Sequence, residues 1–442
     1  MTAARTLAEF AAALRFAAIP LSARERARQC LIDAIGVGLL GSRLPWGAAV
    51  ADYARHYGAG GTSRMIGQPY AVSAPLAALA NGVFVHGYEL DSLRQPGAGV
   101  HPGAALVPVA LALGEEGRCG GEALMTAIVA GCEVMFRIGA ASKHSSERLG
   151  FHAPGLTGPF GAAVTAASLL GLDANRLTQA LGIAGSLCGG LLAFVPAGNG
   201  AMVKRLHLGR AAEAGVLAAQ LAARGFEGPD TILEGRYGFL DTYCAESDPA
   251  ALTDGLGTRF EIENICIKRF PCHITAHAPL VAIEALRHEH GFDGDDVAAV
   301  VVRASGKVLS HHAEREPADT MAAQYSVPYC VAVALYDDPM DPQAFGARGL
   351  HDARIRALCR MVRCEALAAG GWASEVEIAL KDGRVLARAC DDFPGAPTMP
   401  LTAEALREKF LRCAGGFPAA ESLLAQLEKI EGVSDVGTLP LA

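Results

Sequence analysis

Charge is scarce in this 442-residue chain. Charged residues make up 19% of it, only seven are lysines, and the net charge is −8. An ordinary globular domain carries about 25%. No basic tail or Lys/Arg cluster offsets the deficit, which argues against a nucleic-acid groove. Aromatics are also few, at 6% with two tryptophans. The twelve cysteines are scattered and form no C-x-x-C pair, so zinc ribbons and clustered iron–sulfur ligands are not expected. They read as buried free thiols of a reducing, cytoplasmic protein. No run of about 20 residues is free of charges or breakers, so no membrane segment is expected. Leu31 to Leu40 is too short and contains Asp33, and the N-terminus, with Glu9 and Arg15, has no signal-peptide layout. No G-x-G-x-x-G follows a strand pattern and no G-x-x-x-x-G-K-[ST] occurs, which leaves nucleotide cofactors without support. H-E-x-x-H, G-x-S-x-G and S-x-x-K are missing too, which removes the markers of zincins, α/β-hydrolases and lactamases. His273 and His277 have the spacing of a metal pair, but no third ligand is evident; the expectation is no metal and no cofactor.

What is present is apolar: 51% of the residues, with 51 glycines. That surplus predicts a large core and an oligomeric surface, with a homodimer expected. Up to about residue 255 the apolar spacing is helical. Helices are predicted from Leu7 to Leu14, Ala23 to Leu40 with Ser22 as N-cap, Pro75 to Tyr88, Ala104 to Glu116, and Gly121 to Ala140. They continue over Gly158 to Leu170, Asp173 to Leu192, Arg205 to Arg224 and Ile232 to Phe239. Near residue 262 the pattern changes. Val297 to Ala304 reads as a strand, and Glu375 to Leu380 with Arg384 to Ala389 read as a hairpin about Asp382-Gly383. Helices are predicted before and between them, at Ala276 to His288 and Val327 to Leu335, and helix returns after Thr402. The predicted fold is mainly α: a helical domain (1–264 and 398–442) interrupted by a smaller α+β domain (265–397).

Five segments carry polar groups in apolar or Gly/Pro-rich surroundings. In 81–103, His86, Glu89 and Asp91 end a helix and His101 opens the next; histidine beside carboxylate is an acid–base unit. In 149–163, His152 precedes a helix start, whose free N–H groups suit a carboxylate. In 199–215, Lys204 follows Ala-Met-Val, and a lysine in apolar surroundings needs a partner or a task. In 265–277, Lys268, Arg269 and His273 gather like an anion site around Pro271. In 322–335, Tyr325 and Tyr329 share a helix face; core packing is the reading for at least one.

Taken in order, the segments "DAIGVGLLGS" (33–42), "HPGAALVPVALALGE" (101–115), "KRLHLGRAAEAGVLAAQLAARGFEGP" (204–229) and "KRFPCH" (268–273) resemble the MmgE/PrpD family. That family includes 2-methylcitrate dehydratase, cis-aconitate decarboxylase and iminodisuccinate epimerase. The resemblance implies a large helical domain with an α+β lid, a homodimer, no cofactor, and an active site in the cleft between the domains. It puts catalytic roles on His101, His152, Lys204, Lys268, His273 and Tyr329. Asp91 or Glu89 is the carboxylate expected beside the histidines, Asp91 in a catalytic and Glu89 in a substrate-binding role, and the residues read above add Arg269 and His86 as substrate-binding. Here the acidic stretch reads Glu89-Leu90-Asp91-Ser92, which departs from the family's usual run. The implied function is acid–base dehydration or hydration of a small di- or tricarboxylate such as 2-methylcitrate. Decarboxylation of a cis-aconitate-like substrate or epimerisation of an iminodisuccinate-like one is the alternative; a non-catalytic carboxylate-binding protein is an alternative of another class.

Overall fold

Two large hydrophobic cores, with two small clusters beside them, hold most of the buried apolar side chains. One gathers residues from Ala4 to Ile267 and again from Leu401 to Leu441; the other lies between Phe270 and Leu380. These features come from a computed structural model, which describes residues 1–97, 99–195, 202–368 and 371–442.

The first core is helix on helix. The helices Ala74–Val85, Pro102–Glu116, Ala153–Leu169 and Val203–Ala223 pack together at its centre, with Leu21–Gly41 and Gly121–Ala141 around them. Small residues set their spacing. A Cβ on Gly82 would lie 2.7 Å from Cα of Gly209, and one on Gly209 would lie 2.5 Å from the Leu79 carbonyl, so Ala74–Val85 and Val203–Ala223 touch backbone to backbone there. Gly121–Ala141 has the length and apolarity of a membrane span, but its side chains are mostly buried in this core and it carries the buried Arg137–Glu133 pair. The C-terminal helix Ala403–Ala414 returns to pack on Leu21–Gly41; Thr402 caps it, accepting from Ala405 N at 3.2 Å.

The second core lies on a four-stranded sheet in the order Val362–Ala366, Val297–Ala304, Ser374–Leu380, Val385–Cys390. The first pair is parallel and the others antiparallel. Ser374–Leu380 alternates buried and half-buried residues along its length, the period-2 signature of a sheet covered on one face. Helices His277–His290 and Val327–Tyr336 pack beside it.

Several predicted elements shift. Helix Leu21–Gly41 starts on Pro20 rather than on Ser22, whose hydroxyl donates to Glu263 instead. The helix expected from Gly158 begins at Ala153, because Pro154 is tolerated in its first turn. The helix expected to reach Leu192 ends at Gly185, before the Gly189-Gly190 pair. Ile232 to Phe239 is a run of turns holding Gly235, Gly238 and a left-handed Tyr237, with helix only over Phe239–Tyr243.

Candidate active site

The helix Ala74–Val85 ends in a 3₁₀ turn, His86–Tyr88, and Glu89 then takes a left-handed conformation at φ 54°. The bend is held from several sides. Arg205 Nε donates to the Gly87 carbonyl at 3.0 Å, and Lys409 donates to the Leu90 carbonyl at 2.8 Å while pairing with buried Asp33. Ser92 Oγ accepts from Gly103 N at 3.2 Å, which ties the same stretch to the start of helix Pro102–Glu116. His101 is the N-cap position of that helix and His152 that of Ala153–Leu169. Lys204 stands in the first turn of Val203–Ala223, reached through the Gly82–Gly209 contact. Lys268 follows strand Ile265–Cys266, which pairs antiparallel with Leu93–Arg94. Five chain segments thus deliver polar groups to one place.

Two clusters result. In the first, Nδ1 of His86 and Nδ1 of His101 each lie 2.9 Å from the same oxygen, Oδ2 of Asp91. Burial works to raise the Asp91 carboxyl, but the two imidazoles hold it well below its usual range, so it is ionised. Burial pushes His86 down to about 3 against the pull of Asp91. With Nδ1 engaged, His101 has Nε2 free for chemistry. In the second cluster Glu89 bridges two buried lysines. Lys204 Nζ contacts Oε1, and Lys268 Nζ lies 2.9 Å from Oε2 and 3.1 Å from the Glu89 carbonyl. Tyr325 donates its hydroxyl to Oε1 at 3.2 Å and sets its ring under Lys204 Nζ, 5.3 Å away. Burial, then the neighbouring charges of Lys268 and Arg205, lower the Lys204 ammonium well below its usual value. Burial lowers Lys268 as well, with Asp91 opposing.

These groups line a narrow pocket of about 60 Å³, formed by His101, His152, Lys204, Lys268, His273 and Tyr325 with Glu89 among them, and it opens past Glu147, His152, His273, Lys307 and Tyr325 into a wider mouth of about 610 Å³. The wider mouth has the scale of a small-molecule site. His152 bonds through Nδ1 to Nδ1 of His207 at 2.9 Å, and burial, then His86 and His207, keep it neutral. His273 lies 2.9 Å from Thr275 Oγ1 and stacks on His312 at 4.0 Å; burial, then His312 and Lys268, depress it too. Burial raises the Tyr325 phenol, so its hydroxyl keeps its proton.

Of the residues expected here, His101, His152, Lys204, Lys268, His273 and Glu89 line the cavity. Asp91 stands behind His101 as its orienting partner. His86 does too: it is buried against Asp91 and is not among the residues that line the cavity. Arg269 turns away to pair with Glu284 at 2.5 Å and to cover the Phe270 ring. Tyr329 is a correction of the same kind. Its hydroxyl donates to the Ala344 carbonyl at 2.9 Å inside the second core, and the tyrosine at the cavity is Tyr325. Sequence spacing cannot separate two tyrosines four residues apart; the break at Ser326, between helices Thr320–Tyr325 and Val327–Tyr336, does. Glu147 and Lys307 also line the cavity, and no sequence signal pointed to them. The first three residues of the expected segment 199–215 lie outside the described residues.

The His273/His277 metal pairing does not form: His277 is buried between the rings of Phe270 and Phe393, apart from the cavity. Among the described residues, His86, Asp91 and His101 do bring ligand atoms within 4.8 Å of one another. The two rings converging on one carboxylate oxygen account for that closeness as a hydrogen-bonded network.

A family model described as the MmgE/PrpD N-terminal domain matches residues 5–252, and one described as the MmgE/PrpD C-terminal domain matches 270–431. The chain is 29% identical to a cis-aconitate decarboxylase of Mus musculus over 438 residues, covering 94% of this chain and 88% of the relative. It is 27% identical to that of Homo sapiens over 437 residues (94% and 89%). To that of Aspergillus terreus it is 31% identical over 342 residues (72% and 69%).

Proposed function

The chain belongs to the MmgE/PrpD family of enzymes, and from that premise we propose that it is a lyase that decarboxylates a cis-aconitate-like tricarboxylate with its own acid–base groups. The observation that carries the reading is the joining of two clusters in one small cavity: a carboxylate shared by two buried lysines, and an Asp-oriented histidine. Three relatives named for cis-aconitate decarboxylation support release of carbon dioxide over the loss of water to which the sequence pointed first.

Decarboxylation breaks a carbon–carbon bond and leaves its electron pair on the substrate. The double bond spreads that pair toward a neighbouring carboxylate, and a proton then captures it at carbon. Each step asks for a group that is present. Lys204 and Lys268 stabilise the charge that builds on the remaining carboxylates, and burial strengthens them because water does not screen them. His101, oriented by Asp91, delivers the proton through Nε2. Tyr325 and His152 close the cavity walls on either side.

The test is incubation of the purified protein with cis-aconitate, 2-methylcitrate and iminodisuccinate in D2O, followed by NMR and carbon dioxide capture. The expected result is carbon dioxide release from cis-aconitate with one deuterium in the product. Loss of water from 2-methylcitrate without decarboxylation would overturn the reading. Asp91→Asn is expected to lower kcat by about 10²- to 10⁴-fold with KM little changed, the range for removing acid–base support.

A further inference from the structure

Three of the seven lysines line one cavity. Lys204 and Lys268 share Glu89, but Lys307 comes from the opposite wall, on the short helix Gly306–His311 that follows strand Val297–Ala304 of the second core. Its Nζ faces Oε2 of Glu147 at 3.7 Å, across the cleft on the 3₁₀ turn Ser145–Leu149 of the first core. Glu147 also meets His144 Nε2 at 2.9 Å. His144 is itself confined: a Cβ on Gly99 would lie 2.6 Å from its ring, so Gly99 packs closely against it. The side chains of Lys307 and Glu147 are 35% and 27% exposed and line both the cavity and the wider mouth outside it. An ion pair that open and that long contributes little to folding.

Charge counting gives it a different task. Lys204, Lys268 and Lys307 face Glu89 and Glu147, so the lining carries one net positive charge from these groups, whereas a tricarboxylate brings three negative ones. Glu89 is locked between two buried lysines, whereas Glu147 stands 27% exposed at the mouth and meets Lys307 only at 3.7 Å. We propose that Lys307 binds the third carboxylate of a tricarboxylate substrate, and that Glu147 is the resident counter-ion which that carboxylate displaces. The inference rests on the decarboxylase reading and makes Lys307 the residue that separates tricarboxylates from dicarboxylates. Burial would raise the Glu147 carboxyl, but His144 and Lys307 hold it below its ordinary range, so a carboxylate already occupies the place.

The test uses Lys307→Met and Glu147→Gln in the full chain. KM is measured for cis-aconitate, and calorimetric Kd for propane-1,2,3-tricarboxylate and for glutarate, with thermal unfolding to verify the fold. Lys307→Met is expected to weaken tricarboxylate binding roughly 10- to 100-fold, the worth of a charge-assisted contact, while glutarate changes by less than about threefold. Glu147→Gln is expected to move the other way and tighten the tricarboxylate several-fold. A purely structural ion pair makes both variants worse alike; that result, or an unchanged KM in Lys307→Met, would overturn the inference and leave the decarboxylase reading standing. A wild-type protein that neither binds nor turns over any tricarboxylate would overturn both.

Discussion

At the scale of the residue, burial decides what each titratable group can do. Tyr325 and Tyr329 are the same side chain four positions apart, one on the cavity and one in the second core. Tyr325→Phe is expected to lower kcat about tenfold or more, because it removes a donor to Glu89. Tyr329→Phe leaves kcat unchanged and costs about 1 kcal/mol of stability, the net worth of its hydrogen bond to Ala344. Steady-state kinetics and denaturant unfolding on the two variants separate the roles. His277 makes a second case. Burial holds it neutral between Phe270 and Phe393, while the unfolded chain protonates it near pH 6.5. Its folded value is depressed, so its contribution is intact above pH 6.5 and is lost as the pH falls below that. Each unit of acidification costs about 1.4 kcal/mol. His277→Leu removes this linkage. Thermal unfolding is expected to show the variant gaining on wild type as the pH falls from 8 to 5.

At the scale of the element, the site depends on how closely two helices approach. Ala74–Val85 and Val203–Ala223 touch at Gly82 and Gly209, and that contact brings Lys204 to Glu89. A methyl at residue 209 meets the Leu79 carbonyl at 2.5 Å, and backbone cannot yield as a flexible side chain can. Gly209→Ala is therefore expected to cost about 1–3 kcal/mol in stability. It also lowers kcat, by moving the first turn of Val203–Ala223 away from Glu89; unfolding and kinetics on one preparation check both. Helix periodicity was legible in the sequence for these elements. The ends were less so, because caps and breakers compete: Pro154 sits inside a helix where a Pro/Gly loop was expected, and Ser22 serves Glu263 rather than its own helix.

At the scale of the whole molecule, the two cores meet across polar contacts and a small apolar cluster of Leu93, Cys266, Ile274, Ala278, Phe393 and Ala396. Lys268 reaches Glu89, Gln324 Nε2 donates to the Tyr88 carbonyl at 2.8 Å, and Tyr88 donates to the Pro342 carbonyl at 2.7 Å. A ligand spanning this seam binds only the folded chain and so adds directly to stability. A tricarboxylate at a hundredfold excess over its Kd is expected to stabilise the protein by about 2.7 kcal/mol, read as a rise in Tm. Lys307→Met is expected to lose most of that rise.

The sequence by itself determined the classes of element, the change from helix to α+β near residue 262, and six of the cavity residues, because hydrophobic period and the setting of a polar residue are local properties. Only the tertiary structure decided that His86 stands behind Asp91, that Arg269 points away, that Tyr325 rather than Tyr329 reaches the cavity, and that Glu147 and Lys307 face each other across its mouth. Those outcomes turn on distances between segments up to 236 residues apart, as with Tyr325 and Glu89, and no local pattern records them.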